Sequence, residues 1–412
     1  MTTVDFPLSR KIEFALLALL AFSLPLAEAP KNIFAVFYVV LWLINRSDGD
    51  WGGPWRHWDT LFLAWGISGY VMAVFAGLPR HEWGEAQDLP RMAFVAWMAS
   101  RSRYPDRAWR GLLVVIAAST ALALGQGLWK FQDSKTMADL ELKSVGHVNH
   151  SAIYLSIAFG IALAGALAEW RVRRIAASAG WSAIALFFFA GVIAGASRGA
   201  FAVSVVLAVL LAAAAIHRSR WRLATLAVLA AICAAIVLSS DLEIARKQQR
   251  NIEAKNFSAF RVQIWDRGLL AWRQFPFAGV GMGNFGQISD VHVQGWVARE
   301  GRQAEPRGYV PSSHGHSLYV NTLVERGLVG ALPVLMLLVA WAVLLARTRP
   351  GPDETDTAFM AWGASFSAWF VTVAAGLINT TLHHEHGLLA AILLATHLAL
   401  RRNADCLAKR DA

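Results

Sequence analysis

The chain has 412 residues, of which 56% are hydrophobic and 16% charged, whereas ordinary soluble domains carry about 25% charged residues. That balance excludes a soluble globular protein and points to lipid as the solvent. The net charge of +10 would suggest nucleic acid in a soluble chain, but in a membrane chain the positive-inside rule accounts for it, and no nucleic-acid partner is expected.

Apolar runs of roughly 20 residues mark candidate spans. In chain order they fall at 12–28, 30–45, 58–77, 88–104, 109–127, 148–168, 175–195, 199–216, 221–240, 327–346, 357–378 and 386–400. The first resembles a signal peptide, with Arg10 and Lys11 ahead of an apolar core and Ala27-Glu28-Ala29 as a small-residue site. Pro30 argues against cleavage, so the run is expected to stay as the first span. The weakest is 88–104, whose continuous apolar stretch is only Met92 to Ala99. Eighteen Trp and 22 Phe suit a membrane protein, because amphipathic aromatics favour the interfaces. Cys233 lies in an apolar run and Cys406 in a charged tail, so no disulfide framework is read.

Orientation follows from the loops. Twenty Lys and Arg residues fall on one side and seven in the short loops of the other. The first side is therefore cytoplasmic, with both termini inside. The same count defends the weak fourth span, since without it every later basic cluster would change sides. The expected organisation is all-α and polytopic, with about twelve transmembrane helices. It divides into spans 1–9 (1–240), a large external loop with helices (241–315), and a last segment with spans 10–12 (316–412).

Polar residues near the outer ends of the spans carry the chemistry. Arg198 sits in a tight hairpin between two apolar spans, and an ionisable residue at membrane depth usually marks a functional site. The loop opens with a helical pattern that places Arg261, Trp265 and Gly268 near one face. Arg267 and Arg273 follow on the same helix as possible substrate contacts. The glycines of PFAGVGMGNF are read as a turn near the membrane surface. Ser312 and Ser313 can cap a helix, with His314 and His316 near its start. His150 lies at the outer end of a span. His383-His384-Glu385-His386 precedes the last span, but adjacent histidines do not share a helix face, and no metal or other cofactor is expected. Arginine suits phosphate because its planar fork bonds two oxygens at once. A neutral histidine suits proton abstraction. Together they suggest a reaction that expels a phosphate and deprotonates a hydroxyl.

At His316 the sequence runs His-Ser, then nine residues, then Gly327-Leu-Val-Gly330. This H-S-x9-G-x-x-G pattern resembles the signature of the bacterial O-antigen ligase family, which is related to O-antigen polymerases and pilin oligosaccharyltransferases. SRGAF around Arg198 and FRVQIWDRGLLAWRQFPFAGVGMGNF around Arg261 resemble the family too. The resemblance implies a metal-independent glycosyltransferase of the GT-C-like membrane type in the bacterial inner membrane, its active site facing the periplasm. The donor would be an O-antigen glycan on undecaprenyl pyrophosphate and the acceptor the lipid A-core oligosaccharide. His316 would be the catalytic base, and Arg198 and Arg261 would hold the pyrophosphate. His314, His150, Arg267 and Arg273 are possible substrate contacts. A monomer in contact with membrane lipids is expected. The rival readings are an O-antigen polymerase, a pilin oligosaccharyltransferase and, from a different class, a lipid-linked glycan transporter. The motif favours ligase, and the gathering of charges at one face favours an enzyme over a transporter.

Overall fold

The computed structural model describes residues 7–78, 83, 86–133, 140–216, 259–301, 310–351 and 354–411. The expected ninth span (221–240) lies outside the described residues, and so do Lys255, Arg302 and Arg307, loop cations that the resemblance offers as further sugar or phosphate contacts. The described residues hold thirteen α-helices, one 3-10 turn and no strand. The helices are α1 (Leu8–Ser23), α2 (Glu28–Ile44), α3 (His57–Val74), α4 (Asp88–Arg101), α5 (Asp106–Asp133), α6 (Val148–Arg171), α7 (Ile175–Ala194), α8 (Arg198–Ala215), α9 (Ala259–Gln274), α10 (Asp290–Arg299), α11 (Leu318–Arg347), α12 (Asp356–Ala375) and α13 (His384–Asp411).

Six of them (α5, α6, α7, α8, α11 and α12) are long and apolar enough to cross a membrane. The fourth expected span is the 14-residue α4, shorter than the ~20 residues that bridge a bilayer upright. On α11, Leu328, Val329, Leu332, Leu335, Met336 and Val339 are all exposed. An apolar stripe of this kind would be a liability in water and is the lipid face of a membrane helix.

The central element is α6, buried along nearly its whole length. Its small residues allow close approach, as transmembrane packing requires. A Cβ on Gly160 would lie 2.2 Å from Ser367 Oγ of α12. Ser204 of α8 donates to Ser156 of α6 at 2.9 Å. The indoles of Trp341, Trp362 and Trp369 bond across the α11–α12 contact, to Ser365 Oγ, Leu345 O and Leu338 O.

The two ends of the bundle differ. One end gathers arginines of the basic clusters into ion pairs, two of them buried. Arg46 meets Glu13 at 3.0 Å, Arg101 meets Asp59 at 2.6 Å, and Arg110 bridges Glu169 and Asp356. The other end carries His147, His150, His314, His316 and the run from His383 to His386. There α9, α10 and the 3-10 turn (Phe285–Gln287) form a small second core around Leu270, Phe285, Val293 and Trp296, docked on Val324 of α11.

The glycine loop between α9 and α10 is not a plain surface turn. α11 breaks at Gly327, whose φ is 59° and ψ −168°, a conformation almost confined to glycine. Residues 276–281 fill the gap. The N–H groups of Val280 and Gly281 donate to the carbonyls of Val324 and Glu325, and the N–H groups of Leu328 and Val329 donate to the carbonyls of Pro276 and Phe277. The backbone groups released by the break are thereby paired, as a membrane interior demands. The loop also bonds to the end of α3, through Gly77 and Leu78. Gly327 therefore serves a backbone crossing rather than helix packing, whereas Gly330 does pack closely, against Met72 of α3.

Candidate active site

The loop ahead of α11 is fixed on three sides. Ser317, not Ser312 or Ser313, caps α11, its side chain accepting from the N–H of Val320 at 3.4 Å. Ser317 Oγ also donates to Gly376 O at 3.1 Å, which ties the loop to the end of α12. The N–H of Gly315 donates to Asn321 Oδ1 at 2.8 Å, and Asn321 Nδ2 donates to Glu325 Oε2 at 2.9 Å. From the other direction Trp265 Nε1 donates to Gly315 O at 2.9 Å. Held in this way, His316 adopts φ +45°, uncommon for a residue other than glycine. Such strain persists where the surroundings over-determine the conformation, and it clusters at functional sites.

Trp265 lies one helical turn after Arg261, and Gly268 continues the same face. A Cβ on Gly268 would lie 3.0 Å from Val324, so this face of α9 sits directly on α11. The bond from Trp265 brings this face of α9 to the loop that carries His316, close enough for the charge of Arg261 to act on that imidazole. Arg198 is the first residue of α8, after Ser197 and a positive-φ Ala196, and its charge and that of Arg261 act on each other. Arg198, Arg261 and His316 come from three separate elements and converge.

The histidine environment favours the neutral form. Burial above all, then His314, Arg261 and His147, hold His316 down at about 4. Burial and His147 also lower His314, whose ring lies 4.2 Å from that of His316, centroid to centroid. Burial likewise pushes the Arg261 guanidinium down from its ordinary value, although arginine remains charged in proteins.

The other candidates divide. The ring of His150 lies 6.0, 5.5 and 5.2 Å from those of His383, His384 and His386, so the first turn of α6 meets the start of α13. Arg267 is buried in the small second core, paired with Asp290 at 3.2 Å and bonded to Ile288 O. Arg273 is exposed, 3.7 Å from Glu300. Both therefore engage the segment around α10. Glu385, within the histidine run, forms a buried pair with Lys31 of α2. Among the described residues no group of three or more His, Cys, Asp or Glu is arranged to hold a metal ion.

Two cavities are notable. One, of about 340 Å³, is lined by His314, Asn321, Thr322, Glu325, Arg326, Thr380, His383 and His384, with Asp88 and Met282 opposite. The other, of about 300 Å³, is an almost wholly apolar groove between α3 and α4 that no histidine lines. Sequence reasoning assigned nothing to Asn321, Thr380 or the Glu325-Arg326 pair. The available signal was polar residues spaced by four on an otherwise apolar run.

The fold of the described residues and this end of it define a polytopic, all-helical membrane protein with two arginines and a half-buried histidine whose setting favours the neutral form. Residues 183–335 match the family model described as O-antigen ligase, a segment that runs from α7 into α11 and contains Arg198, Arg261 and His316. No curated protein matches the chain.

Proposed function

We propose that the protein transfers an O-antigen glycan from undecaprenyl pyrophosphate to the lipid A-core oligosaccharide. The convergence of Arg198, Arg261 and His316 carries this reading, and the family match over the segment that supplies all three supports it. In this reading Arg198 and Arg261 hold the pyrophosphate through charge-assisted bonds. His316 takes the proton of the acceptor hydroxyl as that oxygen attacks the anomeric carbon. The bond from that carbon to the pyrophosphate breaks on the opposite face, so the configuration inverts. The arginines meet the charge that grows on the leaving group, and removing one such donor costs about 10²–10³ in rate.

The bilayer arrangement belongs to the same proposal. It comprises about twelve spans of the GT-C-like type in the inner membrane, both termini cytoplasmic and the histidine end periplasmic. The apolar exposed face of α11 supports the membrane setting. The test is expression in a ligase-deficient Gram-negative strain whose donor the protein can use, read as a lipopolysaccharide ladder on a gel. The expected result is a ladder that His316→Ala abolishes while the variant remains in the membrane. A full ladder from His316→Ala sinks the general-base role. A change in chain length alone indicates a polymerase, and glycan appearing on pilin indicates the pilin transferase.

A further inference from the structure

The cavity beside His314 has walls from α4, α11 and the segment ahead of α13. Arg198, Arg261 and His316 do not line it. His314 joins the two compartments, since it lines the cavity and its ring packs on that of His316.

Three polar atoms of the lining residues are buried with no hydrogen-bond partner among the described residues: Arg326 Nη1, Thr380 Oγ1 and His383 Nδ1. Arg326 is 7% exposed and Thr380 5%. A buried polar group left unpaired is costly, and native structures hold few of them. Here the cavity is where a partner can sit.

The charges of the wall nearly cancel. Arg326 adjoins Glu325, and Asp88 pairs with Arg91 at 3.1 Å. A free anion would find no net attraction of the kind that Arg198 and Arg261 offer. The wall instead alternates donors with acceptors, among them the Asn321 amide and the Glu325 carboxylate. Leu89, Met92 and Met282 supply apolar surface. Hydroxyls both donate and accept, and a sugar ring adds an apolar C–H face, so the lining fits a neutral polyhydroxylated ring.

We propose that this cavity binds the terminal sugar of the acceptor glycan, with its hydroxyls on Arg326, Thr380 and His383. The assignment rests on the glycosyl-transfer reading above. In an inverting displacement the nucleophile arrives on the face away from the leaving group. The acceptor therefore needs a compartment apart from the arginines yet in touch with the base. The acceptor O–H gives its proton to His316, its oxygen bonds the anomeric carbon, and the electron pair of the broken C–O bond leaves with the lipid pyrophosphate.

The test is direct binding to the detergent-purified full chain. The probes are rough lipopolysaccharide, which carries lipid A-core without O-antigen, and undecaprenyl pyrophosphate. Thr380→Val is expected to weaken rough lipopolysaccharide about tenfold and to leave undecaprenyl pyrophosphate unchanged. Thr380→Ser, which keeps the hydroxyl, is expected to bind as the unaltered chain does and shows that the site still folds. Unchanged rough-lipopolysaccharide binding in Thr380→Val overturns the proposal, and so does a loss confined to undecaprenyl pyrophosphate. An unaltered chain that binds no rough lipopolysaccharide also overturns it. If binding follows the expected pattern but no ladder forms in cells, the pocket stands and the transfer reading fails.

Discussion

The indole of Trp265 donates to the carbonyl of Gly315 at 2.9 Å, so one hydrogen bond links the helix that carries Arg261 to the loop that carries His316. The two groups assigned to the leaving pyrophosphate and to the acceptor proton are thus registered through a residue that does neither task. Trp265→Phe keeps the ring and removes the donor. A typical net hydrogen bond contributes about 0.5–1.5 kcal/mol, and small misplacements of reacting groups are amplified in rate. The expected outcome is a kcat roughly tenfold lower with the folded protein still in the membrane. Undiminished turnover of purified Trp265→Phe would show that the link does not position the site.

Gly327 offers a sharper test of the backbone. At φ 59° and ψ −168° any other residue is strained, and an added Cβ would lie 2.3 Å from the carbonyl of Phe277. Gly279 faces the same crossing, with φ +75° and a Cβ position 2.5 Å from the carbonyl carbon of Glu325. Neither contact is with a flexible side-chain end, so the backbone itself has to move. Gly327→Ala is expected to destabilise by about 2 kcal/mol or more, read as a lower melting temperature in detergent. Gly279→Ala should behave alike. A melting temperature equal to that of the unaltered chain in both variants would mean that the break is not built as described.

The break also marks where sequence reading ran out. The sequence starts the tenth span at 327, so a step at Glu325-Arg326-Gly327 is legible, but the backbone hydrogen bonds that join the break to residues 276–281 leave no periodic trace. The glycines at 279, 281 and 283 and the Glu325-Arg326-Gly327 step were visible, but only the fold shows that they meet. The same holds for His150 and the histidines at 383–386, more than 230 residues apart. Arg198 and His316 stood out in the sequence for the opposite reason, and Arg261 through the face it shares with Trp265 and Gly268 and through the resemblance. Arg198 and His316 are polar groups at the ends of apolar runs, and the spacing around His316 is a local pattern.

The pH dependence follows from the setting of His316. Burial, then His314, Arg261 and His147, place it at about 4, below its ordinary 6.5. The folded value lies below the unfolded one, so His316 contributes stability that is present above about pH 6.5 and lost as pH falls towards 4. For catalysis the imidazole is already the free base at neutral pH. The kcat/KM profile should therefore be flat from about pH 8 to 5 and fall below that. A bound pyrophosphate raises the value, so the acid limb of kcat should lie at higher pH than that of kcat/KM. Arg261→Gln removes a positive neighbour and should move the kcat/KM limb upward in pH, apart from its loss of donor binding. A limb that stays put or moves down in Arg261→Gln would contradict the assignment.

Lys31 and Glu385 provide the last prediction. They are 3% and 6% exposed and form a pair between α2 and the first turn of α13. The pair explains why a glutamate stands inside a run of histidines: it anchors that run to α2. Taking away Lys31 leaves the Glu385 carboxylate buried and alone, at a cost of about 3–5 kcal/mol, whereas taking away Glu385 leaves Lys31 with the exposed Glu28 at 3.3 Å and costs less. Replacing both with apolar side chains of similar volume removes the desolvation penalty together with the attraction, which is often neutral. Lys31→Met should lower the melting temperature strongly and Glu385→Leu by less, and the double variant should recover most of the Lys31→Met loss. Each contact is distant from Arg198 and Arg261 in sequence, so a recovered double variant should also regain the ladder. If the two single losses simply add in the double variant, the two charges are not coupled, and the anchoring of the histidine run must be sought in the bond from Thr381 Oγ1, just ahead of it, to Thr372 O of α12 instead.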